Sequence, residues 1–261
     1  MASYSHLFQG VAVTSKYAAF RPVYPAALYH ELLEFMGTQK PGFAIDVACG
    51  SGQLTSMLAS HFQQVLAFDV SEEQIKSAAA APNINYTVGS ADAIPAQTNT
   101  ADVVTVAQAM HWFDLPKFYA EVDRVLKPGG TLAVIGYGNC KLANQEANKV
   151  IQQFYSGTLK PYWSDRRFWL DNEYADVKLP YEDRARWDGA IVLRYSLEGI
   201  LGYLSSWSGY HTYLKQNPTL PDPLIAVKAD LLRAYATSST TDVEVDLTWP
   251  LFMLLGKKPS H

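Results

Sequence analysis

Residues Ala44-Ile-Asp-Val-Ala-Cys-Gly-Ser-Gly-Gln53 decide how the rest of the chain is read. An apolar, β-favouring run enters Gly50-Ser-Gly52, and a helical stretch follows. A strand that leaves a glycine turn as a helix aims backbone amides at whatever sits at the helix N-terminus. Glycine lets the main chain approach that ligand and adopt positive φ. Beside the plain reading, a tight turn with no ligand, two ligand readings compete. A dinucleotide fold needs G-x-G-x-x-G, and its third glycine position holds Thr55. The other ligand is a nucleoside joined to an amino acid, with no pyrophosphate. There an acid on the strand precedes the small residues, as in Asp46-x-Ala48-x-Gly50-x-Gly52. Asp46 would attract the ligand ammonium, directly or through water.

Working outward, Asp69 lies nineteen residues after Gly50, at the end of the next β-rich run. An acid there faces the same crevice and can accept both hydroxyls of a ribose. Alone it would read as a surface Asp capping the helix at Ser71. A third element follows at Val88-Gly-Ser-Ala-Asp-Ala-Ile-Pro95. Asp92 could accept an adenine amino group, and the Ala91 or Asp92 amide could meet a ring nitrogen. Gln53, Val70 and Ser90 sit beside these three elements, and Gln108 and Ala109 are expected to line the pocket through backbone atoms.

Short β-rich runs alternate with helical stretches through the first half. The runs are 43–47, 65–68, 84–88, 103–106 and 131–135, and the helices 25–36, 53–62, 71–80 and 116–126. Such alternation predicts βαβ units in a parallel sheet with helices on both faces. Ser71 and Gln74 fit a capping box. Fourteen of the 22 Tyr and Trp residues lie beyond residue 150. That half is read as helices at 143–155, 196–215 and 223–236, with strands completing the sheet. Pro250, inside the apolar run 243–255, predicts a bulge or an edge.

The composition excludes several classes. The 261 residues are 48% apolar and 18% charged, with net charge −4, which is neither disordered nor basic enough for a nucleic-acid or membrane-surface binder. Two cysteines and no Cys/His cluster give neither a disulfide scaffold nor a metal site. The N-terminus carries no signal-peptide pattern, and no apolar run approaches a membrane span. A soluble, reduced, cytoplasmic protein is expected, as monomer or homodimer.

The set Asp46-Val-Ala-Cys-Gly-Ser-Gly-Gln, Phe68-Asp69-Val-Ser, Gly89-Ser-Ala-Asp92-Ala-Ile-Pro and Arg124-Val-Leu-Lys-Pro-Gly-Gly-Thr131 resembles the class I S-adenosylmethionine (SAM)-dependent methyltransferases. The resemblance covers roughly residues 12–136. It implies a Rossmann-like seven-stranded sheet, mostly parallel with an antiparallel last strand. It also implies SAM across the strand ends and S-adenosylhomocysteine (SAH) as product. Ala48 departs from the pattern, since many members have glycine there, and a small shift of the loop is expected. Tyr17-Ala-Ala-Phe-Arg-Pro-Val-Tyr-Pro25 and Ala107-Gln-Ala-Met-His-Trp-Phe-Asp114 are similar to the trans-aconitate methyltransferase-like group. Ser205–Tyr210 and Thr248–Pro250 fit it more loosely. That similarity implies a small-molecule acceptor.

One domain over 1–261 is expected: a lid and helix over 1–37, a SAM-binding core over 38–136, and an acceptor-pocket cover over 137–261. His111, just past the fourth strand, is the candidate for acid–base or acceptor-orienting work, against a reading in which it only props the loop. Tyr17 and Arg21 are expected to close over the ligand, and Tyr24-Pro25 to be helix-entry packing. Trp112, Tyr137, Trp207 and Tyr210, with Trp163 and Trp169, are candidates for an aromatic acceptor pocket, against core packing. Cys49 reads as a buried structural thiol. O-methylation of a carboxylate or hydroxyl is the first expectation and N-methylation the second. A nicotinamide oxidoreductase and a catalytically silent SAM-binding protein are the rivals.

Overall fold

The computed structural model describes residues 22–38 and 41–260. Tyr17 and Arg21 lie outside the described residues. The strands are β1 (Phe43–Val47), β2 (Gln64–Asp69), β3 (Ile84–Val88), β4 (Ala101–Ala107), β5 (Leu126–Tyr137), β6 (Lys141–Leu142), β7 (Asp183–Ser196) and β8 (Glu244–Lys257). β3, β2, β1, β4 and β5 pair in that order, all parallel. β8 pairs antiparallel with β5 and β6 on one side and with β7 on the other.

β6 continues β5 rather than adding a strand. From Tyr137↔Leu251 to Lys141↔Thr248 the first chain advances four residues and β8 only three. The extra residue is a bulge, and Pro250 faces it, its carbonyl accepting the Gly138 amide at 2.9 Å. In an antiparallel ladder a residue's N–H and C=O point to the same side, so the donor that proline lacks is missing at the bulge. Counted this way, the sheet has the expected seven strands. The fourteen-residue β7 is the element that periodicity did not mark, because its side chains are mostly exposed over its first half.

The nine α-helices among the described residues follow the chain order α1 (Ala26–Met36), α2 (Gln53–Ala59), α3 (Glu72–Ser77), α4 (Leu115–Val125), α5 (Gln145–Gln153), α6 (Arg167–Asp171), α7 (Leu197–Ser205), α8 (Ser208–Gln216) and α9 (Leu224–Ala234). α1 buries Leu28 and Leu32 and ends at Gly37, whose φ of 71° is the left-handed cap that glycine supplies. α2 and α3 stop earlier than the sequence predicts. The stretch 196–215 is two helices broken at Ser206-Trp207. α9 begins after Pro223, with Asp222 Oδ1 accepting the Leu224 amide at 2.9 Å.

The capping box at Ser71 is half formed. Ser71 Oγ accepts the Gln74 amide, but the Ser71 amide goes to Asp69 Oδ1 and not to the Gln74 side chain. Gln74 Oε1 is buried with no partner among the described residues. Two apolar cores lie on opposite faces of the sheet. Val103, Leu28, Leu58 and Trp249 belong to one, and Val104, Phe68, Phe118 and Val122 to the other. Adjacent β4 residues feed opposite cores, as strand alternation requires. This packing holds the C-terminal ends of β1, β4 and β5 side by side.

Candidate functional site

At those ends lies a narrow cleft, partly open to solvent. Asp46, Ala48, Cys49 and Gly50 form its floor after β1. Gln53 and Leu54 add the first turn of α2, and Ala107 and Gln108 the end of β4. Pro22, Tyr24 and Tyr137 close the wall. Asp46 is the one carboxylate in this lining, and no Lys, Arg or His among the described residues lines it. Tyr24, read from sequence as packing, instead faces the cavity, with its ring 6.4 Å from that of Tyr137.

The glycine loop is wound tightly. Ala48, Gly50 and Gly52 have φ of 53°, 56° and 88°, all in the region that favours glycine. A Cβ on Gly52 would sit 2.5 Å from Tyr86 Oη, so this glycine is required by contact as well as by φ. Ala48 bears the strain that glycine would avoid. Gln108 also has positive φ, 59°, fixed by its amide bonding Ile135 O and its Nε2 donating to Tyr137 O at 3.2 Å.

Asp46 is 1% exposed. Thr55 Oγ1 donates to its Oδ2 at 2.6 Å, and Thr105 Oγ1 to its Oδ1 at 2.9 Å. Burial pushes its carboxyl up to about 6, against the two hydroxyls, which favour the charge. Thr55 thus occupies the third-glycine position with a specific task. Asp69 ties the loop to β2: Oδ2 accepts the Gly50 amide at 3.0 Å and Oδ1 the Ser71 amide at 2.9 Å. Burial raises its carboxyl, opposed by those amides. Val70, Ser90 and Asp92 are exposed beside it, and Ala91 is buried. The Gly89 amide bonds Asp69 O, which brings the turn after β3 to the same rim. Cys49 is buried, and its thiol is raised by that burial, as a structural thiol would be.

His111 lies in a 3₁₀ turn, Met110–Trp112, that starts after Ala109, two residues beyond the end of β4. It is 7% exposed and does not line the cavity. Its Nδ1 and Tyr174 Oη share a 2.8 Å hydrogen bond, and Arg166 Nη1 donates to its carbonyl at 3.0 Å. Burial, then the charges of Arg167 and Arg166, lowers its imidazole to about 3. Trp112 is half-buried, its ring 4.7 Å from that of His111.

Of the aromatic candidates, Tyr137 lines the cavity. Trp207 and Tyr210 do not, which corrects their reading as pocket residues. Trp207 is buried against Phe154, Trp163 and Tyr203, with centroids 5.9, 5.7 and 5.6 Å away. Tyr210 is buried and donates to Asp222 Oδ2 at 2.8 Å. Residue spacing placed these aromatics in the cover but could not say which way each faces. Thr55, Thr105, Tyr24, Tyr174, Arg166 and Arg167 were missed; of these only Thr55 carried a signal, as the departure from a glycine pattern.

Residues 45–134 match a model described as a methyltransferase domain. A protein of Dictyostelium discoideum named as a methyltransferase is 35% identical over 249 residues, covering 95% of this chain and 94% of its own. One of Saccharomyces cerevisiae, named as S-adenosylmethionine-dependent, is 24% identical over 94% of this chain and 95% of its own. A solved structure described as a type II methyltransferase, from Anaeromyxobacter dehalogenans, superposes with a TM-score of 0.82 at 33% identity, over 93% of this chain and all of that one. Among the described residues no helix is long and apolar enough to cross a membrane.

Proposed function

The chain belongs to the class I SAM-dependent methyltransferases, and from that premise we propose that it methylates an oxygen of a small organic acceptor. The donor set supports the cofactor's placement in the glycine-loop cavity. Among the described residues that lining carries an acid and tyrosine faces but no cation, which suits an ammonium and a sulfonium. Bound SAM supplies a methyl group on a sulfonium, open to attack in line with the sulfur.

The chain's own residues hold and orient. Each Asp69 oxygen keeps a lone pair after serving its amide, enough to accept one ribose hydroxyl apiece. Asp46, with both oxygens fixed by threonine hydroxyls, faces the ammonium. Val70, Ser90, Ala91 and Asp92 border the adenine, and Gly50, Gly52, Gln53, Gln108 and Ala109 shape the wall. Tyr24 and Tyr137 shield the positive charge and exclude water. Holding nucleophile and methyl in line is where most of the rate arises, worth roughly 7–11 kcal/mol in favourable cases.

One observation favours oxygen over nitrogen. The charged side chains that act on His111 are Arg166 and Arg167, both cations. They would oppose an ammonium acceptor and favour an anionic oxygen. A carboxylate needs no base, which agrees with a His111 held neutral; the histidine then orients the acceptor. Both halves of the chain contribute to one sheet, which supports a single catalytic domain. The test is to incubate the protein with methyl-labelled SAM and a small-molecule extract. Label in a base-labile ester or an ether supports the proposal. Label confined to amines, or to polypeptide, overturns it.

A further inference from the structure

We propose that Arg167 is the residue that recognises the acceptor, binding a carboxylate group through its two terminal nitrogens between His111 and the rings of Tyr155 and Trp163. The inference rests on the cofactor and small-molecule reading above and names the charge its acceptor carries.

Arg167 opens α6, which packs on the 3₁₀ turn that carries His111. Only its Nε is engaged: it donates to Tyr155 Oη at 2.8 Å and to Asp171 Oδ1 at 3.2 Å. Tyr155 in turn donates to the same Asp171 oxygen at 2.5 Å. This triangle fixes the stem of the side chain and leaves the fork unused. Four of the five guanidinium N–H donors are on Nη1 and Nη2, and none finds a partner among the described residues. They are not sealed away either, because neither nitrogen is among the buried atoms lacking a partner, and the side chain is 24% exposed. Arg166 shows the contrast, since its Nη1 is spent on the His111 carbonyl.

The surroundings are those of a built anion site. The Arg167 carbon Cζ lies 5.1 Å from the Trp163 ring centroid and 5.4 Å from that of Tyr155, so the guanidinium sits over two aromatic rings. Its charge reaches His111 and Tyr174, on the side where β4 leads back to the cofactor cavity. The one carboxylate bonded to Arg167, Asp171, meets Nε and is 40% exposed, so it does not occupy the fork. A planar carboxylate matches two parallel N–H donors, a geometry that lysine cannot offer. The aromatic neighbours favour a flat or apolar body behind the charge.

The probes are matched acids and uncharged amides, phenylacetate with phenylacetamide and hexanoate with hexanamide. They are titrated into the SAH-loaded protein at millimolar concentrations. The parent is expected to prefer the acid of each pair roughly ten- to a hundred-fold, the range for charge-assisted hydrogen bonds. Arg167→Met should abolish that preference. Arg167→Lys, which keeps the charge and loses the fork, should retain a smaller part of it. SAH affinity should stay within about twofold in both variants, which reports that the fold survives. Should Arg167→Met fail to hold SAH, Arg167→Lys carries the test alone. Equal binding of acids and amides by the parent, no binding of either acid, or full preference in Arg167→Lys overturns the proposal. Label transfer from SAM is a separate readout. Arg167-dependent acid binding without methylation at any oxygen keeps this inference and removes the oxygen-methylation reading. Methylation that ignores Arg167 does the reverse.

Discussion

Asp69 Oδ2 holds the amide of Gly50, nineteen residues earlier in the chain, at 3.0 Å. One carboxylate therefore both shapes the glycine loop and stands at the expected ribose position. Asp69→Ala removes the acceptor for Gly50 and Ser71 together. Loss of stability by about 1–3 kcal/mol is expected, since two amides lose their acceptor. SAM affinity should fall at least about tenfold. Urea unfolding and isothermal titration on the same sample check both. A variant as stable as the parent would contradict the tie between loop and strand.

Ala48 sits at φ 53° in a loop otherwise built on glycines. An L residue there costs about 1–2 kcal/mol, and glycine costs about 0.5–1 kcal/mol in unfolded-chain entropy. Ala48→Gly should gain about 0.5 kcal/mol, near 1 °C in Tm for a chain of this size, with SAH affinity unchanged. Thermal unfolding decides it. A lower Tm would mean that the Ala48 methyl group contributes packing that outweighs its strain.

Asp46 and His111 pull stability in opposite directions with pH. Burial raises Asp46 to about 6, so the folded chain keeps a proton that the unfolded chain releases above about pH 4. Its contribution is present at low pH and is lost as pH rises through about 4 to 6, by roughly 2–3 kcal/mol. His111 is lowered to about 3, so below about 6.5 the unfolded chain binds a proton that the folded one does not. Its contribution is lost as pH falls. In the parent the two slopes largely cancel. Asp46→Asn should expose a stability that rises with pH over this window, and His111→Gln one that falls. Denaturant midpoints across the window check the signs, and parallel slopes in the two variants would contradict the assignments.

The same lowering of His111 sets the pH–rate profile. With its imidazole neutral throughout the working range, turnover on a carboxylate acceptor should show no limb near 6.5, the unperturbed imidazole value. His111→Ala should weaken acceptor binding and turnover by about tenfold through lost orientation, less than the 10²–10⁴ of a general base. Steady-state rates against pH for parent and variant test this. A limb near neutrality that disappears in the variant would restore His111 as a base.

The βαβ half of the fold was legible because strands buried on both faces, such as β1 and β4, leave nearly continuous apolar runs, as in Val103–Val106. β7 was not, since its exposed first half carries no apolar period, and its place depends on pairing with β8 far along the chain. In the site, Asp46, Gly50 and Asp69 could be read because their spacing reflects a local strand–turn–helix geometry. Thr105, Tyr174 and Arg167 could not, because their roles come from contacts 59, 63 and 12 residues away with Asp46, His111 and Tyr155. The aromatic cover misled for the same reason: Trp207 and Tyr210 are in the right region but turn into the core.

The most direct test of the cofactor placement compares SAH with 5′-methylthioadenosine, which keeps the nucleoside and lacks the amino acid. Both are titrated into the parent, Asp69→Ala and Asp46→Asn near pH 7. Asp69→Ala should weaken the two ligands by the same factor, at least about tenfold, because both carry the ribose. Asp46→Asn should weaken SAH by about tenfold and leave 5′-methylthioadenosine unchanged, because only SAH carries the ammonium. If Asp46→Asn weakens both alike, or Asp69→Ala spares 5′-methylthioadenosine, the cofactor does not lie across the loop as argued.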